Sequence, residues 1–123
     1  MNKDTVIRKN REFRRTYLKG KSEVSPNLVT YVIKNRYKKN RMGITTGKKI
    51  GNAVKRNRAR RVIKSAYFEL QQKLKPGFDI VFVGRAKTTV SKMQIVKNEM
   101  ERHFYKLGIL KWRIWLKILC WKV

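Results

Sequence analysis

Between residues 48 and 61 the chain carries a Gly-interrupted basic loop and then a run of cations: Lys48, Lys49, Gly51, Asn52, Lys55, Arg56, Asn57, Arg58, Arg60 and Arg61, followed by Lys64. The chemistry open to such residues is the binding of phosphate esters. A helix starting after Asn52 would offer free backbone N–H groups and the positive end of its dipole to an anion. Each guanidinium can fork onto two phosphate oxygens at once, which an ammonium cannot. Asn57, set among them, can hydrogen-bond a sugar, a base edge or neighbouring backbone. The cations from Lys55 to Arg61 repel one another on an isolated helix, and a polyanion would relieve that repulsion. A solvated basic helix face is the simpler alternative.

The whole chain repeats this imbalance. Lys and Arg number 33 against 7 Asp and Glu, a formal net charge of +26 over 123 residues. Such a domain repels itself, and counterion release would drive it onto a polyanion, most simply nucleic acid. An anionic membrane surface is the other candidate. The 41% hydrophobic content and its periodic placement argue against a disordered chain. Enzymatic chemistry within the chain finds little support. The acids Asp4, Glu12, Glu23, Glu69, Asp79, Glu99 and Glu101 are scattered, where a two-metal nuclease needs a carboxylate cluster. One Cys (Cys120) and one His (His103) exclude an intrachain disulfide and a Cys/His zinc site. His103 lies beside Phe104 without an Asp or Ser partner in sight and is expected to be structural or on the surface. We therefore expect neither a catalytic side chain nor a metal held by protein side chains. Without an apolar run of ~20 residues or a leader-like N-terminus, the chain reads as cytoplasmic and not stably inserted in a membrane.

The elements that must position these residues follow from periodicity. Asp4–Lys19 reads as a basic helix anchored by Ile7, Phe13 and Tyr17, the last two sharing a face, with Gly20 as its stop. Residues Leu28–Ile33 are β-branched and aromatic, and predict a strand with Val29, Tyr31 and Ile33 on one face and Leu28, Thr30 and Val32 on the other. A basic turn, Asn35–Arg41, leads to a second strand, Met42–Thr46, and the two are expected to pair as a hairpin. Asn52 is a natural N-cap for a helix Ala53–Leu74 whose stripe is Ala59, Val62, Ile63, Ala66, Leu70 and Leu74. The strand Phe78–Val83 is apolar almost throughout and so central. A last helix, Val90–Leu107, would bury Met93, Val96, Met100, Phe104 and Leu107. This order predicts an α+β sandwich, helices packed against one small sheet.

The spacing of Lys48-Lys49, Ile50-Gly51, Ala53-Val54, Arg56-Asn57-Arg58 and Arg60-Arg61 strongly resembles the Arg-Asn-Arg signature of the ribonuclease P protein subunit. The resemblance runs over about residues 5–108. Phe13, Tyr17 and Gly20 are similar to the family's N-terminal aromatic pair and following Gly. Arg41-Met42-Gly43-Ile44 and Gly77–Arg85 are similar to the strands flanking its long helix. One position departs from the pattern: Thr46-Gly47 stands where Val-Ser is common. The resemblance implies a mostly antiparallel four-stranded sheet with three helices and a βαβ crossover of unusual left-handed type. It implies that Lys48, Lys49, Asn52, Arg56, Asn57, Arg58, Arg60, Arg61 and Lys64 face a catalytic RNA. It further implies that Phe13, Arg14, Tyr17, Tyr31 and Lys49 hold the single-stranded 5′ leader of precursor tRNA. Hydrolysis would be the work of that RNA with Mg²⁺. A structural RNA-binding protein of ribosomal type remains the alternative on charge alone. Docking to the core is the simpler role for Phe13 and Tyr17.

The domain so delimited spans residues 1–110. The extension 111–123 interleaves Trp112, Trp115 and Trp121 with Lys and Arg and falls outside the family pattern. Periodicity does not decide between helix and strand there. Packing on the domain, membrane-surface contact and RNA stacking are all compatible with it, and an exposed tail would favour weak self-association.

Overall fold

The segment Phe78–Gly84, apolar except for Asp79, has a strand on each side and a helix layer above and below. The computed structural model describes residues 6–111, and in it the sheet order is β1 (Lys21–Val24), β2 (Leu28–Lys34), β4 (Phe78–Gly84), β3 (Arg41–Thr45). The β1–β2 and β2–β4 pairs are antiparallel and β3–β4 is parallel. With α1 (Asn10–Lys19), α2 (Ala53–Leu70) and α3 (Met93–Lys106), this is the expected α+β architecture. The βαβ unit is β3–α2–β4. The Trp-rich stretch from Trp112 onward and the expected helix start at Asp4 lie outside the described residues.

The expected hairpin does not form. Ile80 of β4 lies between Val32 of β2 and Met42 of β3, so the two predicted partners are separated by the central strand. A strand apolar almost throughout gains most where both of its edges and both of its faces are covered, and α2 supplies the long crossover that a parallel pair needs. The turn between β2 and β3 is tied to β4 instead. Asn35 N–H donates to Gly77 O at 2.9 Å, and Phe78 N–H donates to Asn40 Oδ1 at 3.0 Å. Strand β1 escapes sequence patterning because Lys-Ser-Glu-Val has no apolar alternation; it is an edge strand held by backbone pairing.

Helix boundaries also shift. Val6 bridges Met42 in parallel, and Ile7 N–H donates to Met42 O at 3.0 Å. The chain is therefore extended beside β3 here, and α1 begins only at Asn10. At the far end of α2 the helix tightens into a 3₁₀ turn at Gln71–Lys73. Leu74 then bridges Leu110. Another 3₁₀ turn, Ala86–Thr89, precedes α3, which starts at Met93 rather than Val90.

One sheet face carries Leu28, Val32, Met42, Ile80 and Phe82 into the main core against Ala59, Ile63, Ala66, Tyr67 and Leu70 of α2 and Val96, Met100 and Phe104 of α3. Tyr67, absent from the predicted stripe, packs its ring at 5.7 Å from Phe82, which in turn lies 6.0 Å from Phe104. Truncating such a fully buried Phe typically costs ~3–5 kcal/mol. The other face carries Tyr31, Arg41, Gly43 and Thr45 toward α1, in agreement with the alternation read from the sequence.

His103 is structural, not on the surface: it is 3% exposed, and its Nδ1 lies 2.7 Å from Thr30 Oγ1. Nearby, Glu99 accepts from the Asn27 side chain at 2.6 Å and from its backbone N–H at 3.3 Å. Burial holds the imidazole pKa below its ordinary 6.5, against the pull of Glu23 and Glu99. The unfolded chain then takes up a proton that the folded ring refuses, so this contribution is complete above pH 6.5 and is lost as pH falls toward the depressed value. His103→Gln should flatten that part of the stability–pH curve in urea melts; an identical slope in both proteins would assign the titration to another group.

Candidate nucleic-acid interface

The entry to α2 is built in three steps. Ile50, buried, anchors the short turn Lys48–Ile50 and leaves Lys48 and Lys49 exposed. Gly51 follows at φ 140°, where a side chain is strained and a Cβ would meet the Lys55 side chain at 2.7 Å. Asn52 then caps the helix as expected, its side chain accepting from Lys55 N–H at 3.0 Å. No acid lies in the first turn, so the positive helix end is not neutralised locally. Burial of Ala59, Ile63 and Ala66 leaves Asn57, Arg58, Arg60, Arg61 and Lys64 exposed.

Two arginines of this helix are fixed from behind. Arg58 Nε donates to Thr89 O at 2.7 Å, and Arg60 Nε donates to Thr46 Oγ1 at 2.9 Å. Holding the guanidinium through Nε leaves its terminal pair, the edge that matches two phosphate oxygens, for another partner. Arg56 Nε is buried without a partner among the described residues, and Arg56 shares a hollow of about 260 Å³ with Thr46, Ala53, Asn57 and Arg60. At the unusual Thr46-Gly47 pair, the Thr46 hydroxyl is thus engaged by Arg60, while Gly47 has open space around it.

A groove of about 820 Å³ runs between α2 and the α1 side of the sheet. Asn57, Arg60, Arg61 and Lys64 form one wall; Val6, Ile7, Arg8, Phe13, Met42, Gly43 and Ile44 form the other wall and the floor. Gly43 is essential to this shape, since a Cβ there would lie 2.8 Å from the Phe13 ring. Phe13 continues into Tyr17, with ring centroids 6.5 Å apart, and Tyr17 meets Tyr31 edge-on at 4.9 Å. The Tyr17 hydroxyl is held 2.8 Å from Thr45 Oγ1. The structure thus brings Phe13 together with Asn57, Arg60, Arg61 and Lys64 around one groove and places Tyr17 and Tyr31 beside it. Arg14 is exposed on α1 outside the groove lining, and Lys48, Lys49 and Asn52 stand at the N-terminal end of α2.

Sequence reasoning missed Arg41. It is 8% exposed, ion-paired to Glu12 of α1 and 3.7 Å from Asp79 of β4, and its guanidinium lies 4.7 Å from the centre of the Tyr37 ring. A cation opening an apolar strand was the available signal, because a buried charge demands a partner. Arg8, Thr45 and Thr46 were missed as well, and nothing in their local pattern marks them.

The family model for Ribonuclease P matches residues 1–108. The ribonuclease P protein component of Clostridium botulinum (strain 657 / Type Ba4) is 40% identical over 108 residues, 87% of this chain and 97% of that protein. That of Oceanobacillus iheyensis is 38% identical over 112 residues, 90% and 93% of the two chains. Among solved structures, the Staphylococcus aureus RNase P protein superposes with a TM-score of 0.77 at 28% identity, covering 87% of this chain and 98% of that one. The Thermotoga maritima RNase P protein gives 0.70 at 26% identity, covering 78% and 91%.

The Phe13–Gly43 packing is testable by coupling. Gly43→Ala should destabilise the domain by ~1–3 kcal/mol through overpacking, and by much less in a Phe13→Ala background, as read by thermal melts. Equal losses in both backgrounds would mean that Phe13 does not rest on Gly43.

Proposed function

The chain belongs to the ribonuclease P protein family, and from that premise we propose that its groove holds the single-stranded 5′ leader of precursor tRNA while the N-terminal half of α2 grips the catalytic RNA. Membership makes the chain the protein component of an endoribonuclease ribonucleoprotein of tRNA 5′ maturation, with RNA as its partner. The observation that supports the finer assignment is the pairing of unlike walls. Phe13, continued by Tyr17 and Tyr31, offers ring faces and edges on one side, and Arg60, Arg61 and Lys64 offer cations on the other. Unpaired bases stack on aromatics with little sequence preference, at ~1–3 kcal/mol per base. Guanidinium groups take the backbone phosphates. Such a site accepts leaders of varied sequence.

In this proposal Lys48, Lys49, Asn52, Arg56, Asn57 and Arg58 serve the RNA subunit, and the walls of the groove serve the leader. Asn57, Arg60, Arg61 and Lys64 line the groove and are therefore assigned to both. Lys49, next to the α2 N-terminus, and Arg14, on α1, would take phosphates flanking the leader. The protein brings two polyanions together and lowers their mutual repulsion. Hydrolysis is assigned to the RNA with Mg²⁺. The described residues bring together no group of three His, Cys, Asp or Glu, and Glu12 and Asp79 are engaged by Arg41, so the proposal assigns no Mg²⁺ to protein side chains. No helix of the described residues is long and apolar enough to cross a membrane, and a cytoplasmic location is part of the proposal. So is weak self-association through the Trp-rich extension, to be tested by sedimentation against a chain ending at Leu110.

Cleavage of a 5′-extended precursor tRNA at low Mg²⁺ by this protein mixed with a bacterial ribonuclease P RNA tests the assignment. Correct 5′ processing should require both components. Arg56→Ala with Arg58→Ala should weaken RNA-subunit binding and make its salt dependence shallower, by nearly one unit in the log–log slope for each phosphate no longer neutralised. An unchanged slope would remove these residues from the interface. Phe13→Ala should reduce affinity for leader-bearing precursor more than for mature tRNA, and an equal loss for both would indicate damage to the fold instead.

A further inference from the structure

The turn between β2 and β3 has no role in the site so far, yet it is built like a presentation device. Asn35 locks it: its Nδ2 donates to Lys39 O at 3.0 Å and to Asp79 Oδ1 at 2.8 Å, and its Oδ1 accepts from Tyr37 N–H at 3.0 Å. Lys38 sits in the left-handed region at φ 58°, which turns the chain sharply at the tip. The outcome is a fixed knuckle that raises Tyr37, 57% exposed, between the exposed cations Arg36 and Lys38. The Arg41 guanidinium lies over the ring at 4.7 Å from its centre, and Arg41 is itself pinned by Glu12 and Asp79. An aromatic ring backed by a fixed cation, open to solvent and flanked by two more cations, matches one unpaired base with its two neighbouring phosphates. Simple shielding of Arg41 would not require so much of the ring to stand in solvent.

The position of the knuckle tells which RNA it meets. Arg41 is the residue before Met42, and Met42 with Gly43 floors the groove, so the knuckle stands where β3 begins, at one end of that groove. We propose that Tyr37, with Arg36 and Lys38, forms a further nucleotide subsite that stacks a leader base beyond those held in the groove. The subsite rests on the assignment of the groove to the leader. It makes affinity depend on leader length: short leaders end inside the groove, and longer ones reach the ring.

The test uses holoenzyme reconstituted with the RNA subunit and precursor tRNAs whose leaders grow one nucleotide at a time, with mature tRNA as reference. Tyr37→Ala should bind mature tRNA and short-leader precursors like wild type. It should lose about five- to a hundred-fold in affinity once the leader passes a threshold length. Tyr37→Phe should restore the wild-type length profile. Tyr37→Leu, which keeps an apolar cover over Arg41, should behave like Tyr37→Ala. Arg36→Gln should lower the salt dependence for long leaders only. If Tyr37→Ala matches wild type at every length while Phe13→Ala still shows a leader-dependent loss, the subsite is wrong and the groove assignment stands. Were Phe13→Ala also to lack leader dependence, the groove assignment would fail and take the subsite with it. A Tyr37→Ala or Tyr37→Leu loss that is the same for mature tRNA would overturn the proposal by showing that the knuckle acts through the fold or on another partner.

Discussion

Arg41 is a cation almost removed from water at the junction of α1, β3 and β4, and the geometry of the groove side of the molecule hangs on its compensation. An ionised group in that position is tolerated only when it is paired and hydrogen-bonded. Glu12 supplies one partner from the first turns of α1 and Asp79 supplies the other from the central strand. The pairing is therefore also a clamp. It sets α1 on the sheet at the height where Phe13 meets the bare backbone of Gly43 and Tyr17 reaches Thr45. Asp79 further accepts from Asn35, which extends the clamp into the β2–β3 turn. Helix, groove floor and turn are positioned by one charge cluster.

That use of acids matters in a chain so cationic. With 33 Lys and Arg against 7 Asp and Glu, each carboxylate is scarce. Glu12 and Asp79 hold Arg41, Glu99 holds Asn27, Glu69 pairs with Lys97, and Glu101 pairs with Lys73. All five join elements of the fold or secure a turn; none is paired with the cations between Lys55 and Lys64 among the described residues. The Lys55–Lys64 part of α2 keeps its field undiluted by ion pairs among the described residues, and its like-charge repulsion is left for a polyanion to relieve. Folding is correspondingly dependent on the apolar core around Phe82, since surface pairs such as Lys73–Glu101 contribute little on their own.

Much of this was legible in the sequence, for reasons that also explain what was not. The α2 stripe and the Asn52 cap are local, repeating signals, and both appear where periodicity and capping chemistry put them. The β2 alternation likewise sent Tyr31 to the α1 face and Leu28 to the core. The hairpin expectation failed because pairing is a competition among all strands, and Phe78–Gly84 outcompeted the nearer neighbour. β1 was invisible because an exposed edge strand needs no apolar pattern. Ile7 looked like a helix anchor, but its backbone was claimed by Met42. At the site, the cationic wall could be read from spacing, whereas the partners of Arg41, lying 29 and 38 residues away in the chain, could not. The groove is made by the meeting of distant segments, and no single segment announces it.

With the groove assigned to the leader as proposed, the division between its walls has a further consequence for substrate recognition. Stacking on Phe13 and its aromatic neighbours is indifferent to base identity, and the phosphate-binding wall is indifferent to base altogether. On that assignment, discrimination would not rest on reading leader sequence. It would rest on an unpaired strand of sufficient length attached to a folded tRNA, because only a single strand can place bases on the rings and phosphates on the arginines at once. A double helix hides its base faces within its own stack and would meet only the cations. The fixed planes of Arg58 and Arg60, tethered through Nε, sharpen this requirement, since a pre-oriented fork loses less freedom on binding than a mobile one. The selectivity proposed for the groove follows from the same three constraints that built it: a buried cation that fixes α1, a glycine that lets an aromatic ring reach the sheet, and a helix whose cations between Lys55 and Lys64 meet no acid among the described residues.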